Sequence, residues 1–251
     1  MKIGIQPDVK HKPEEAFEFA AKNGFDHLEI LIDHPYYRFL DYTEILEMMW
    51  SYDLDLLIHA PSTSTNFISL SENMRRASYK ELSEVCFLAE KCYVEVVTFH
   101  LGWNATFVNN GKFYFMKDFY EEHNERVILK ELLPFLKDVN VQLALENTIL
   151  IEGKVRKALE LVMEETELKL TLDIGHYNIQ EDPFFMDHFD DVVNIHVHDN
   201  NGKLDEHLAL GKGKVDLRKF PIKNYDKFLT IETRDERAII ETFEYLKEVI
   251  T

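Results

Sequence analysis

Apolar residues along this chain follow two patterns in alternation. Short runs rich in β-branched and aromatic residues have the character of strands, and the stretches between them carry the spacing of one helical face. The runs predict strands at Lys2–Gln6, His27–Ile32, Leu54–His59, Val94–His100, Val141–Glu146, Lys169–Asp173, Val192–His196 and Phe228–Glu232. Amphipathic helices are expected at Pro13–Asn23, Thr43–Tyr52, Glu72–Lys91, Phe119–Leu136, Lys154–Glu165 and Glu236–Ile250, with briefer ones at Asp182–Phe189 and Leu217–Asn224. Pro13 suits a first helical turn, where its missing N–H is not needed. Asp216 suits an N-cap. Strands alternating with helices argue for a parallel sheet, and eight of them are the number that closes a barrel. The expected fold is therefore α/β, a single (β/α)8 TIM barrel.

No Ser- or Gly-rich linker, charge block or repeat beyond this alternation divides the chain, so one domain over residues 1–251 is the simplest organisation. The longest irregular stretch, Gly102–Asp118, holds Trp103, Phe107, Asn109, Asn110 and Gly111. An aromatic loop after the fourth strand either covers a pocket or packs on the barrel rim.

Composition adds constraints of its own. An apolar share of 45% with 29% charged residues describes a chain able to bury a large core. The formal charge of −18 opposes non-specific attraction to nucleic acid, which lysine and arginine dominate. Even so, Lys10, Lys12, Arg38, Arg75, Arg76, Lys203, Lys212 and Lys214 fall near segments that follow strands, which leaves room for a basic mouth on an acidic body. Cys86 and Cys92 are the only cysteines and make no metal spacing, so both read as buried thiols in a reducing compartment. The start, MKIGIQPDV, enters a strand directly, and no apolar run approaches the ~20 residues of a membrane span. A cytoplasmic location without membrane contact is expected.

The chemistry is carried by the strand ends. Six of the eight runs finish on a histidine or carboxylate: His59, His100, Glu146, Asp173, His196 and Glu232. In a βα-barrel the C-terminal strand ends converge on one face, so residues distant in sequence meet there. Taken singly, His59 would be a hydrogen-bonded rim residue, Glu232 a helix-facing carboxylate and Asp173 part of a turn. Together, six ionisable groups at one mouth would repel or desolvate one another unless a cation compensated them. Imidazole and carboxylate are the ordinary ligands of zinc or manganese. The stretch Val192–Gly213 adds His198, Asp199, Asp205 and His207 close behind His196. His198 lies on the same side as His196 if the strand continues, placed to contact substrate or to support a ligand. Glu29 is expected inside the barrel in a structural role. His11, His27, His34, His123 and His188 read as surface or loop residues.

With these motifs the chain resembles the xylose isomerase-like TIM-barrel superfamily, which includes endonuclease IV, the ketose 3-epimerases, hydroxypyruvate isomerase and inosose dehydratase. The carriers are His59-Ala-Pro, Phe99-His100-Leu-Gly, Leu145-Glu146-Asn-Thr, Leu172-Asp173-Ile-Gly-His176, His196-Val-His-Asp199, Asp205-Glu-His207 with Gly211-Lys-Gly213, and Ile231-Glu232-Thr. They span essentially the whole chain. The resemblance implies one to three divalent ions, Zn²⁺ or Mn²⁺/Mg²⁺. In the endonuclease IV pattern, His59, His100 and Glu146 would hold one zinc, and Glu146 would bridge to a second on Asp173, His196 and Glu232. His176, Asp205 and His207 would hold the third. In the isomerase and epimerase pattern, Glu146, Asp173, His196 and Glu232 would hold one ion that chelates a sugar. Glu146 or Glu232 would then remove a proton next to the carbonyl, with the enediolate stabilised by the metal. His176, His198 and Lys212 would contact the substrate.

Two departures bear on the choice. Endonuclease IV has bulky residues after its HAP-like motif that enter the DNA helix, where this chain has Ser62, Thr63, Ser64 and Thr65. That and the charge favour a small sugar or sugar phosphate over abasic-site DNA. Against this, Asp205 and His207 supply a third site that a one-metal enzyme does not require. A homodimer is expected by analogy with the superfamily.

Overall fold

The computed structural model describes residues 1–250. Eight parallel strands form the barrel: β1 (Lys2–Ile5), β2 (His27–Leu31), β3 (Asp55–His59), β4 (Val97–Phe99), β7 (Leu143–Glu146), β8 (Lys169–Asp173), β9 (Val192–Val197) and β10 (Phe228–Ile231). Their order around the wall, β1-β10-β9-β8-β7-β4-β3-β2, closes on itself with β1 paired to both β10 and β2. The expected barrel is present, with strand limits shifted by a few residues at most.

Two further strands, β5 (Phe107–Asn109) and β6 (Lys112–Tyr114), pair antiparallel outside the barrel. The stretch expected to be irregular thus contains a hairpin. Asn110 and Gly111 both take positive φ at its tip, the conformation that a two-residue turn between twisted strands requires.

Helices return the chain between strands: α1 (Pro13–Lys22), α2 (Tyr42–Tyr52), α3 (Glu72–Cys92), α4 (Lys117–Val127), α5 (Leu133–Lys137), α6 (Gly153–Glu165), α7 (Ile174–Ile179), α8 (Pro183–Asp187) and α9 (Glu236–Ile250). Pro13 opens α1, and Asp216 caps a short 3-10 turn through the Arg218 N–H. The helix expected over Phe119–Leu136 is interrupted by a widened π turn at Ile128–Leu132. Pro134 explains it, because it has no N–H for the carbonyl one turn back. Among the described residues no helix is long and apolar enough to cross a membrane.

The two faces of the wall differ in chemistry. Facing the helices, Leu28, Ile30, Leu56, Ile58, Leu145, Leu172, Ile195 and Ile231 belong to one continuous apolar core. Facing the axis, several strands carry polar residues that hydrogen-bond one another, beside a small separate apolar cluster of Leu57, Val96, Ala144 and Val193. The His27 Nε2–H donates to Thr230 Oγ1 at 2.9 Å, Thr230 donates to Asn194 Oδ1 at 2.9 Å, and Asn194 Nδ2 donates to Glu29 Oε2 at 2.8 Å. Glu29 in turn accepts from His196 Nε2 at 3.0 Å. These groups are all buried. The expectation that His27 is a surface or loop residue is therefore corrected: it lies on β2 facing inward, and Gly4 opposite leaves the space, since a Cβ there would come 2.4 Å from its ring. His123 is likewise buried, on α4, with Nε2 3.2 Å from the Ser69 carbonyl. Cys86 and Cys92 are buried free thiols on α3, pushed by burial up to about 12 and about 11.

Candidate metal centre

At the C-terminal mouth of the barrel the polar column ends in a ring of histidines and carboxylates. Period-two alternation sends His59, Glu146, Asp173 and His196 inward from β3, β7, β8 and β9, while His100 and Glu232 stand one residue past β4 and β10. Ligand atoms in four groups each lie within 4.8 Å of one another: His59, His100 and Glu146; Glu146, Asp173, His196 and Glu232; Asp173, His176 and His198; and His198, Asp205 and His207. Every histidine and carboxylate expected as a ligand from the sequence is brought into this cluster, and Glu146, Asp173 and His198 each serve two groups.

Neighbouring carbonyls and carboxylates set the direction of several rings. His59 Nδ1–H donates to the Ala60 carbonyl at 2.9 Å, which leaves Nε2 facing Glu146 Oε2 at 3.1 Å. His100 Nε2 reaches the same oxygen at 2.9 Å. His196 gives Nε2 to Glu29, so Nδ1 faces the mouth. His207 gives Nδ1 to the Glu232 carbonyl at 2.7 Å and turns Nε2 toward Asp205 at 2.8 Å. Such outer partners orient metal-binding imidazoles and fix their tautomers. Gly175 is required by the same packing, since a Cβ there would fall 2.0 Å from the His198 ring. His198 itself sits 3.0 Å from Asp173 and stacks on His207 with ring centroids 4.1 Å apart.

The donor set fits a divalent cation. His196 Nδ1 and Glu232 Oε2 approach to 2.9 Å, yet both atoms are buried and neither makes a hydrogen bond. The Nδ1 atoms of His176 and His198 are also buried without a hydrogen-bond partner. Buried polar atoms are rarely left this way, and nitrogen and oxygen atoms facing a common point are what zinc, manganese or magnesium coordination uses.

Electrostatics couple these groups strongly. Burial opposes ionisation of Glu146, but His100 and His196 outweigh it and hold the carboxyl well below the usual range. Burial also works against Glu232, and Arg234 with His196 reverses it. Burial would lower His196, while Glu29, Glu232 and Glu146 raise it well above its ordinary value. Burial lowers His176 and His198 too, but Asp173 and its neighbours carry them up to about 12 and about 9. Asp205 is lowered by His176 and His207 against its burial. Protons on these imidazoles and a cation among the carboxylates are thus alternatives.

Around the ring, Asp199 is fully buried and accepts backbone N–H groups from Asn200, Gly211, Gly213 and Val215 at 2.8–3.0 Å. It folds the loop that carries Asp205 and His207. Asp33 does the same for the segment after His59, accepting from the Ser62 and Thr63 N–H groups at 2.7 and 2.9 Å. Lys212, expected to meet substrate, is not brought to the cluster. Its largely exposed ammonium lies 3.5 Å from Glu241 on α9. Arg234 was not foreseen: it pairs with Glu232 and donates Nε–H to Gln6 Oε1 at 2.8 Å. Its position two residues beyond a strand-end carboxylate was the available signal.

A cavity of about 310 Å³ opens beside the ring, lined by His100, Asn147, Thr148, Ile149, His176 and Asp182 among others. Its size is at the low end of small-molecule sites.

The xylose isomerase-like TIM barrel family model matches residues 17–249. The uncharacterized protein MJ1614 of Methanocaldococcus jannaschii is 30% identical, over 88% of this chain and 86% of its own. Among solved structures, a D-tagatose 3-epimerase-like protein superposes with a TM-score of 0.80 at 25% identity, covering 100% of this chain and 98% of that one. Endonuclease IV from Thermus thermophilus superposes at 0.69 with 20% identity, covering 99% and 100%.

Proposed function

The chain belongs to the xylose isomerase-like TIM-barrel family, and from that premise we propose that it is a metal-dependent isomerase or epimerase of a small sugar. The observation that carries this reading is the pair Glu146 and Glu232. Both are buried, both are held ionised, and they converge from different strands on His196 Nδ1 at 3.6 and 2.9 Å. One carboxylate takes the proton from the carbon next to a carbonyl, and the C–H electron pair passes into the developing enediolate. Now protonated, that carboxyl returns its proton to the enediolate, at the neighbouring carbon in an isomerisation, while the second carboxylate stays ionised beside His196. A divalent ion held by Glu146, Asp173, His196 and Glu232 would supply electrophilic polarisation of the carbonyl. His176 stands at the edge of the cavity to meet a sugar hydroxyl, His198 lies buried behind it against Asp173, and Asn147 anchors the floor through paired hydrogen bonds with the Asp173 backbone at 2.6 and 2.8 Å. Similarity to a D-tagatose 3-epimerase-like protein supports this class.

Solvent deuterium appearing at a carbon next to the carbonyl, with a panel of ketoses and aldoses and added Mn²⁺, is the expected result. No exchange with any sugar would overturn the reading.

One observation favours a second reading, a phosphodiesterase like endonuclease IV. The groups around His176, His198, Asp205 and His207 lie beside the central set and could complete a three-ion centre. About three zinc ions per chain, together with nicking of an abasic duplex that added salt suppresses, would establish it. The charge of −18 and the pinned Ser62–Thr63 segment speak for the sugar.

A further inference from the structure

Behind the cavity at the ring lies a second one of about 400 Å³, and the two share Thr148, Ile149, Leu150 and Gln180 in their walls. The outer cavity is larger than the inner one and differently built. Trp103 and Phe115 line it while remaining 58% and 47% exposed, so two flat apolar faces are left open to solvent. Tyr120, stacked on Phe115 with centroids 5.2 Å apart, also lines it. The Tyr120 hydroxyl and Thr148 Oγ1 are buried without hydrogen-bond partners. Burying a hydroxyl in this way is costly unless a partner arrives.

Charge narrows the occupant. Among the described residues lining the outer cavity, Lys117 is the one cation, and its ammonium is paired with Glu152 at 2.6 Å. Nothing there is arranged to receive a phosphate. Aromatic faces beside unpartnered hydroxyls match a neutral ring with an apolar face and polar edges. A sugar ring has that character.

Resting on the isomerase reading above, we infer that the substrate is a disaccharide-like sugar: one unit reacts at the ring of histidines and carboxylates, and a second, neutral glycosyl unit lies in the outer cavity against Trp103 and Phe115. Tyr120 and Thr148 then hydrogen-bond the second unit, and Leu150 forms the wall where the two units join.

The test uses the full chain loaded with Mn²⁺ and carrying Trp50→Phe, which leaves Trp103 as the only tryptophan. Each D-2-ketohexose is titrated beside its 6-O-glucosyl derivative, following Trp103 emission and the dissociation constant. For at least one pair, the glucosyl compound is expected to shift the emission and bind at least tenfold more tightly. Tyr120→Phe and Trp103→Ala should each remove most of that gain in calorimetric titrations while leaving the bare ketose unchanged. Equal binding of every pair, with no change in emission, overturns the inference. So does an equal gain from a 6-O-benzyl derivative, which would assign the outer cavity to an apolar substituent. Solvent deuterium exchange in the same samples reports separately on the reaction. A glucosyl gain without exchange removes the isomerase reading and leaves the second subsite standing; exchange without a gain does the reverse.

Discussion

The two faces of the barrel wall are made from the same strands, yet they behave as different materials. On the helix side, residues such as Leu172 and Ile195 are interchangeable contributors to a large apolar core. On the axis side, residues one position away, such as Asp173 beside His198 and His196 beside Glu29, have named side-chain partners at hydrogen-bonding distance. The outer face tolerates changes that preserve volume; the inner face depends on identity and orientation. A wall built this way lets an ordinary core carry stability while a polar interior sets the geometry of the mouth.

The sharpest way to break the contrast is on the inner face. Glu146→Gln keeps the shape of the side chain and removes its charge. Deuterium exchange is expected to fall about 10²–10⁴-fold, the usual contribution of a general base, and the bound metal per chain should fall with it. Unchanged exchange would mean that Glu146 has no part in proton transfer. On the outer face, Leu172→Ala should cost about 2–5 kcal/mol in denaturant unfolding, as for other buried leucines. The metal content of its folded fraction should stay at the parental value.

The contrast also has a pH signature. Burial pushes His27 down to about 4 from an ordinary 6.5, despite the opposing charge of Glu29. The unfolded chain therefore takes up this proton at higher pH than the folded one. The resulting stability is present above about pH 6.5 and is lost as pH falls toward 4, to an extent of about 3 kcal/mol. Comparing urea midpoints of the parent and His27→Gln across that window should show this component disappear in the variant. The smallest expected effect is that of Glu29→Gln, which loosens the orientation of His196 without touching the mouth. Metal affinity should fall about 10–100-fold in a chelator competition, the range for outer partners of metal-binding histidines.

How much of this was legible in the sequence depended on whether a residue followed the strand period. Alternation places Asp173 and Glu146 inward almost by itself, and the strand-end histidines and carboxylates come together at one mouth. The same alternation in His27-Leu-Glu29-Ile put His27 inside with Glu29, but a histidine far from the mouth offers no chemical reason to look for it there. Residues outside the strands were harder to place. Lys212 sits between two glycines, so its direction depends on Glu241, far along the chain on α9. The hairpin at residues 107–114 was signalled by Asn110-Gly111, but its strands are too short and too exposed to show the apolar pattern of a buried one. His198 was readable as lying beside His196, whereas its sharing between two ligand groups depends on the loop that Asp199 folds.

TIM barrels ordinarily keep their two ends separate, with activity at the top and stability at the bottom. The column from His27 through Thr230, Asn194 and Glu29 to His196 removes that separation here. Variation at the floor of the barrel is therefore constrained by what happens at its mouth, and this protein would be a poor scaffold for grafting a new active site while leaving the base of the barrel untouched.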